Sequence, residues 1–331
     1  MLLSMLAVVV GLALLVWSAD RFVLGAAGLA RAAGLSPLII GMTVVGFGTS
    51  SPELAVSALA SWQGNSGLAV GNAVGSNIAN VGLILGICAL IQPLSVQSGI
   101  LRRELPMATA ASLLLLLLVI DGTLGRVDGA ILAAGLVAFL AWSIRSARRG
   151  GDDALATELA GEMPPPVPAG RSILWIAVGL VFLVGSSQLL IWGAVNIAQA
   201  MGVSDLVIGL TIVAIGTSLP ELAASVAGLL KKEDDIAIGN ILGSNLFNIL
   251  AILLAPALID PGPIPDPLLL WRDIPIMIGL MLMLWATAYG LRGKPLRLER
   301  IDGALLLSVY VGYTLILLYS AVSESPWTPT N

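Results

Sequence analysis

Two glutamates, Glu53 and Glu221, sit in the same short setting, G-T-S-x-P-E, inside apolar runs long enough to cross a membrane. A carboxylate in hydrocarbon is costly, and it marks a functional position by default. Hydroxyls surround each one at helical spacing. Thr49 and Ser50 precede Glu53 by four and three residues, which puts all three on one helix face, and Ser57 extends that face by a turn. Thr217, Ser218, Glu221 and Ser225 repeat the pattern. The segments that follow carry Asn72, Ser76 and Asn80, spaced by four, and their counterparts Asn240, Ser244 and Asn248. All are oxygen ligands, which suit hard cations such as Ca²⁺, Mg²⁺ or Na⁺ rather than zinc or copper. Two glutamates could neutralise one Ca²⁺, which takes six to eight oxygens at about 2.3–2.6 Å.

Backbone carbonyls add to this supply. Pro52 has no N–H for the carbonyl of Gly48, and Gly46 and Gly48 loosen the same turn. Pro220 and Gly216 do so in the second copy. Carbonyls freed at membrane depth are tolerated only inside protein or beside a watery cavity. Gly71 and Gly75, with Gly239 and Gly243, read as close-packing positions at helix crossings. Other residues have plainer readings. Ser57 and Ser225 are expected to bond their own helix backbone. Asn72, Asn77, Asn240 and Asn245 read as interhelical glue. Asp20 and Arg21 read as a local pair or water contact. "KKEDD" at 231–235 reads as a solvated turn. No span near the motifs offers a basic partner for either glutamate.

Long apolar elements must hold these residues. The chain is 57% hydrophobic and 11% charged, with a mean hydropathy of +0.98, against roughly 25% charged residues in a soluble domain. It is therefore an integral membrane protein. Windows of about 17–25 apolar residues mark spanning helices. Ten are read, near 2–30, 36–61, 67–91, 104–120, 127–146, 172–200, 204–230, 235–259, 271–290 and 301–321. The first lacks a basic flank and is too long for a cleaved signal. The single cysteine, Cys88, lies within a span, and there is no histidine, the commonest proton relay and a frequent metal ligand. Basic residues fix orientation. With the N-terminus outside, about 13 Lys and Arg fall in inside loops, and only Arg126 and Arg272 in outside ones.

Residues 41–86 and 209–254 align without a gap at a constant offset of 168, with roughly 20 of 46 positions identical. The identities include the polar and small residues of G-T-S-x-P-E-L-A and G-N-x-x-G-S-N-x-x-N. A repeat of this kind is an architectural signature. Between the halves lies the acidic, proline-rich stretch 147–171, read as a cytoplasmic linker. Five spans per half is an odd number, so the second half enters the membrane from the opposite side. The expected fold is an all-α polytopic membrane protein of ten transmembrane helices in two inverted-topology five-helix repeats. Its units are 1–146, the linker 147–171, and 172–331. Inverted repeats place a site near the midplane, where the two copies meet.

At GTSSPE with GNAVGSNIAN, and at GTSLPE with GNILGSNLFN, the chain resembles the cation/Ca²⁺ exchanger superfamily, and within it the prokaryotic sodium/calcium exchangers. The resemblance implies antiport of Na⁺ against Ca²⁺ across the cytoplasmic membrane by alternating access, with both termini outside and Ca²⁺ extruded. It implies that Glu53 and Glu221 are the central carboxylates and that Thr49 and Thr217 add carbonyls. Ser50, Ser218, Ser76 and Ser244 would line flanking Na⁺ sites. Asn80 and Asn248 would flank the middle position, and Gly46 and Ala214 would lend carbonyls. Some relatives, the potassium-dependent ones among them, carry Asp where Asn248 stands, so Asn implies independence of K⁺. The first and sixth helices are expected to slide across a core bearing the ions. Ca²⁺ and Na⁺ are then substrates, no cofactor is expected, lipid is the only other partner, nucleic acid plays no part, and a monomer suffices. Ca²⁺/H⁺ exchange is the alternative within the same class, and a cation channel the alternative outside it, although channels place acidic rings around an oligomeric pore. An enzyme is disfavoured, because no nucleophile–base pair or Cys/His cluster exists.

Overall fold

The computed structural model describes residues 1–32, 48–95, 98–149, 167–230, 234–264, 266–288 and 297–323. They form helices almost throughout. In chain order these are α1 (Leu2–Ala32), α2 (Ser51–Trp62), α3 (Ser66–Ile91), α4 (Ser98–Leu118), α5 (Arg126–Arg149), α6 (Ala169–Met201), α7 (205–217), α8 (Leu219–Leu230), α9 (234–259), α10 (269–288) and α11 (Arg300–Ser323). Among the described residues, eight helical stretches are long and apolar enough to cross a membrane. α4 carries Arg102, Arg103 and Glu104 in its first turns, which leaves Glu104–Leu118 as its apolar part. The span expected at 36–61 is described only from residue 48 onward. Residue Gly46 and most of the linker also lie outside the described residues.

α1 and α6 are the longest helices, at 31 and 33 residues. At about 1.5 Å per residue each exceeds the roughly 30 Å of hydrocarbon it crosses. They pack antiparallel at backbone distance, since a Cβ on Gly179 would lie 2.6 Å from the nitrogen of Phe22. Val8, Leu15, Leu183, Leu190 and Ile191 join Val56 of α2 and Leu68 of α3 in one buried cluster. A larger cluster fills the space between α3, α4, α5, α9, α10 and α11, with Ile78, Leu85, Leu115, Leu132, Ile241 and Leu280 among its members.

The expected glycine crossings are unequal. A Cβ on Gly71 would meet the carbonyl oxygen of Leu206 at 2.5 Å, and one on Gly75 the Cα of Leu210 at 2.6 Å. α3 therefore crosses α7 backbone to backbone, as read from the sequence. Around Gly243 nothing among the described residues lies within 4 Å of such a Cβ, so this position is not the tight crossing its counterpart is. The serines are a second correction. Ser57 Oγ donates to the carbonyl of Ala69 on α3 at 3.3 Å, and Ser225 Oγ to that of Ala237 on α9 at 3.5 Å. Each ties its helix to the next one rather than to its own backbone. Arg21 sits 3.8 Å from Asp20 and lies over the rings of Trp17 and Trp175, the local pairing expected of it. Arg272 is not a loop cation: it opens α10 half-buried, with Nε 2.7 Å from the fully buried Asp273 carboxylate, which Tyr313 of α11 also bonds at 2.9 Å.

Two short ladders tie the loops together. β1 (Leu94–Ser95) pairs antiparallel with β4 (Arg297–Leu298), and β2 (Thr123–Leu124) with β3 (Gly262–Pro263). α4 joins β1 to β2, so the ladders lie at opposite ends of a membrane-length helix. A hollow of about 420 Å³ gathers Asn65, Ser66, Asp205, Asp260 and Asp266 at the β2–β3 end. This grouping and the basic-residue bias make one prediction. In a Cys88→Ala background, Gln63→Cys, an exposed position, is expected to react with an impermeant thiol reagent from outside, and Ser95→Cys only from inside. Reaction of both from one side would overturn the orientation expected from the basic residues.

Candidate cation site

Both G-T-S-x-P-E motifs fold into the same break. Ser50 and Ser218 leave the helical region with nearly identical backbones, φ/ψ −84/5 and −83/7, and a new helix begins one residue later. The prolines fall on the first turns of α2 and α8, where a missing N–H costs nothing. Each glutamate then lies in the first turn of its helix, where the partial positive charge of the N-terminus favours an anion. The carbonyl that Pro52 cannot engage is not left free. Gly48 accepts from the backbone N–H of Ser51 at 3.2 Å and from its Oγ at 2.6 Å. Leu219 stands where Ser51 does, so the second copy has no such hydroxyl. The Ala214 carbonyl accepts the backbone N–H of Ser218 at 3.1 Å.

Hydrogen bonds bring the two motifs onto one another. Ser218 Oγ donates to Glu53 Oε1 at 3.3 Å, and Ser244 Oγ to Glu221 Oε1 at 3.3 Å. Thr49 Oγ1 lies 3.4 Å from Ser244 Oγ, and Thr217 Oγ1 donates to Asn72 Oδ1 at 3.0 Å. Asn80 Nδ2 donates to Asn245 Oδ1 at 2.9 Å, and Asn248 Nδ2 to Asn77 Oδ1 at 3.0 Å. These bonds bring Thr49, Glu53, Thr217, Ser218, Glu221 and Ser244 together and set Asn80 and Asn248 against asparagines of the opposite repeat, while no side-chain bond among the described residues ties the Ser50 or Ser76 hydroxyl to them. Glu53 is fully buried and Glu221 is 1% exposed. Among the described residues neither has a basic partner. Buried oxygens without a hydrogen bond remain on Ser50, Glu53 (Oε2), Ser76, Asn80 (Oδ1), Glu221 (Oε2) and Asn248 (Oδ1). Buried polar atoms are nearly always satisfied, and these six, which all belong to residues read as ligands from the sequence, are oxygens of the kind a hard cation takes.

Sequence reasoning missed one feature. α3 and α9 both loosen into π-helix at matching points, Ala79–Leu85 and Asn248–Ile252. Such bulges mark functional sites; no residue type announces them, although both begin at the last asparagine of the motif or next to it. Of the two readings of Asn72, oxygen ligand and interhelical glue, the structure shows the second. Its Nδ2 donates to the Glu53 carbonyl at 3.1 Å and to Ser57 Oγ at 2.9 Å, while its Oδ1 takes the Thr217 bond. With both ends of the amide engaged, Asn72 is a fastener of both motifs, as its reading as interhelical glue implied.

Comparison with known proteins adds an independent line. The model of the sodium/calcium exchanger protein family matches residues 3–145 and 171–319. The chain is 48% identical over 321 residues to CaxA of Alkalimonas amylolytica, covering 97% of this chain and 100% of that one. It is 46% identical over 281 residues to the inner membrane protein YrbG of Escherichia coli (strain K12), covering 84% and 86%. A solved structure of the sodium-calcium exchanger NCX_Mj, soaked with Na⁺ and Sr²⁺, superposes with a TM-score of 0.61 at 31% identity, covering 96% of this chain and 99% of that one.

Asn72 gives the test of this geometry. Asn72→Ala removes three hydrogen bonds at about 1 kcal/mol each, while Ser57 and Thr217 keep their bonds to backbone carbonyls. Thermal unfolding in detergent is expected to shift well below wild type, and by more than for Ser61→Ala, whose hydroxyl bonds only its own helix at Ser57.

Proposed function

The chain belongs to the sodium/calcium exchanger family, and from that premise we propose that it is a secondary antiporter exchanging Na⁺ for Ca²⁺ by alternating access, in the direction of Ca²⁺ extrusion. One observation carries the reading. Two buried carboxylates, without basic partners among the described residues, are held by hydroxyls from both motifs, and each keeps one oxygen without a hydrogen bond, as do Ser50, Ser76, Asn80 and Asn248. An unpaired buried charge costs several kcal/mol, and a dehydrated cation is the partner that removes this cost. The ligands we assign are Glu53 and Glu221 at the centre, with Thr49, Thr217, Ser50, Ser218, Ser76, Ser244, Asn80, Asn248 and the carbonyls of Gly46 and Ala214 around them.

The proposed architecture is ten spans in two inverted halves, 1–146 and 172–331, with 147–171 a cytoplasmic linker, both termini outside, and a single chain as the working unit. The antiparallel pair α1 and α6 is the element proposed to slide. Its support is length and packing: two helices longer than the hydrocarbon is thick, joined to each other along their whole length and meeting the rest through the smaller apolar cluster. Ca²⁺ and Na⁺ competing for overlapping oxygens would couple their opposite movements.

The test is ⁴⁵Ca²⁺ flux in proteoliposomes with Na⁺, K⁺ and pH gradients imposed separately. A Na⁺ gradient is expected to drive uptake, and K⁺ to leave it unchanged. Flux driven by pH alone would replace the reading with Ca²⁺/H⁺ exchange. Glu53→Gln and Glu221→Gln keep the shape and remove the charge. Losing about 3 kcal/mol of Ca²⁺ affinity weakens binding more than 100-fold, so each variant is expected to lose Ca²⁺ transport while remaining monodisperse. Near-wild-type flux in either would show that the carboxylates are not the Ca²⁺ site.

A further inference from the structure

An asparagine amide can offer a cation its oxygen or its NH₂, and only the first is attractive. What decides the orientation of Asn80 and Asn248 is therefore part of the site. Two neighbours that only accept hydrogen bonds settle it on one side. Asn77 Nδ2 donates to the backbone carbonyl of Asn245 at 3.3 Å and lies 3.5 Å from the sulfur of Met277. A carbonyl and a thioether cannot donate, so the NH₂ of Asn77 must face them and its Oδ1 must face away. There it accepts from Asn248 Nδ2 at 3.0 Å. The mirror residue behaves alike. Asn245 Nδ2 faces the sulfur of Met281 at 4.0 Å, and its Oδ1 accepts from Asn80 Nδ2 at 2.9 Å. Met277 and Met281 are one turn apart on α10. With their NH₂ groups held, Asn80 and Asn248 keep Oδ1 buried and without a partner.

We propose that Asn77 and Asn245 are positioning residues that fix the carbonyl oxygens of Asn80 and Asn248 toward the transported cation, each acting across the boundary between the two repeats. Met277 and Met281 are their backstops. This rests on the Ca²⁺-transport reading above and adds residues to it that need not touch the ion. It also changes what is expected of Asn77: its loss alters ion affinity as well as helix packing.

A mutant cycle separates positioning from packing. Asn77→Leu frees the Asn248 amide to turn its NH₂ inward. A carboxylate at that position has oxygen at both ends and no wrong orientation. In full-length protein in proteoliposomes, Asn77→Leu is expected to raise the half-saturating Ca²⁺ concentration about tenfold, the scale of a lost hydrogen bond to a charged group, with little change in maximal rate. In an Asn248→Asp background the same substitution is expected to cost under about threefold, because coupled residues give non-additive cycles. An equal cost in both backgrounds is a packing effect and overturns the proposal. Asn245→Leu with Asn80→Asp repeats the cycle on the mirror side, so a pair that fails to fold leaves the other to decide. Glu53→Gln is measured alongside. Wild-type flux in that variant sinks the transport reading itself, whereas its loss together with equal costs in the cycle sinks only the positioning role.

Discussion

Two carboxylates are buried inside the helical assembly, where among the described residues no basic side chain meets them, and most of the surrounding structure follows from that constraint. Glu53 and Glu221 could not remain in such a place as bare charges, because the desolvation cost is several kcal/mol for each ion. Two features reduce it. Each glutamate takes a hydroxyl bond, Glu53 from Ser218 and Glu221 from Ser244. Each lies at the N-terminus of a helix begun at a break, where the backbone presents unpaired N–H groups. Each is also buried inside the protein, Glu53 fully and Glu221 at 1% exposure. The breaks at Ser50 and Ser218 are thus part of the electrostatics. A continuous helix would carry the carboxylate past its middle turns, where no N-terminal dipole helps.

The bonds that join one polar side chain of the site to another are exchanged between repeats more often than kept within one. Asn80 gives to Asn245 and Asn248 gives to Asn77, which are the same bond read from opposite ends of the duplication at offset 168. Ser218 serves Glu53 and Thr217 serves Asn72, so the second motif completes the first. Neither half could satisfy its buried amides alone, and an amide unsatisfied in a membrane interior has no water to turn to. The interface between the repeats is therefore specified by polar pairing as well as by apolar packing. The copies are not exact: Gly48 is recaptured by Ser51, which has no equivalent at Leu219, and Gly75 packs on backbone while its counterpart Gly243, the same residue, does not.

Much of this was legible in the sequence because the informative residues are out of place in hydrocarbon. A glutamate, a proline and a run of hydroxyls within an apolar stretch have few structural uses, and their recurrence at a fixed offset removes chance. Composition gave the membrane class, and the Gly71 crossing followed from a small residue on a helix face. Other features had no such signal. Ser57 and Ser225 bond across to the following helix, and spacing within one helix says nothing about which neighbour stands opposite. The π-helical turns after Asn77 and from Asn248 depend on how α3 and α9 pack, and their residues, largely apolar, carry no propensity for that geometry. Arg272 was read as a loop charge because its buried partner, Asp273, is adjacent in sequence, where an ion pair leaves no periodic trace.

The choice of amides at 80 and 248 bears on how the site handles charge. With Asn at both positions, the formal charge of the gathered side chains is that of Glu53 and Glu221 alone. On the proposed reading, a load of charge +2 leaves the centre neutral, and an empty centre leaves two uncompensated charges for the helices to carry through hydrocarbon. The difference in free energy is of the order that separates a passable state from a forbidden one, several kcal/mol per ion. Exchange without leak then needs no dedicated latch, because the charge that draws a cation in also keeps the unloaded protein from crossing. Amide oxygens complete the coordination shell without disturbing this balance, but only if they face the ion. Orientation of Asn80 and Asn248 is in this way tied to selectivity: an amide turned the wrong way would present partial positive charge to the cation while leaving the formal charge unchanged. A carboxylate avoids the orientation problem and alters the charge balance instead. The asparagine cluster at the repeat boundary keeps the balance set by the two glutamates and solves the orientation by hydrogen bonding.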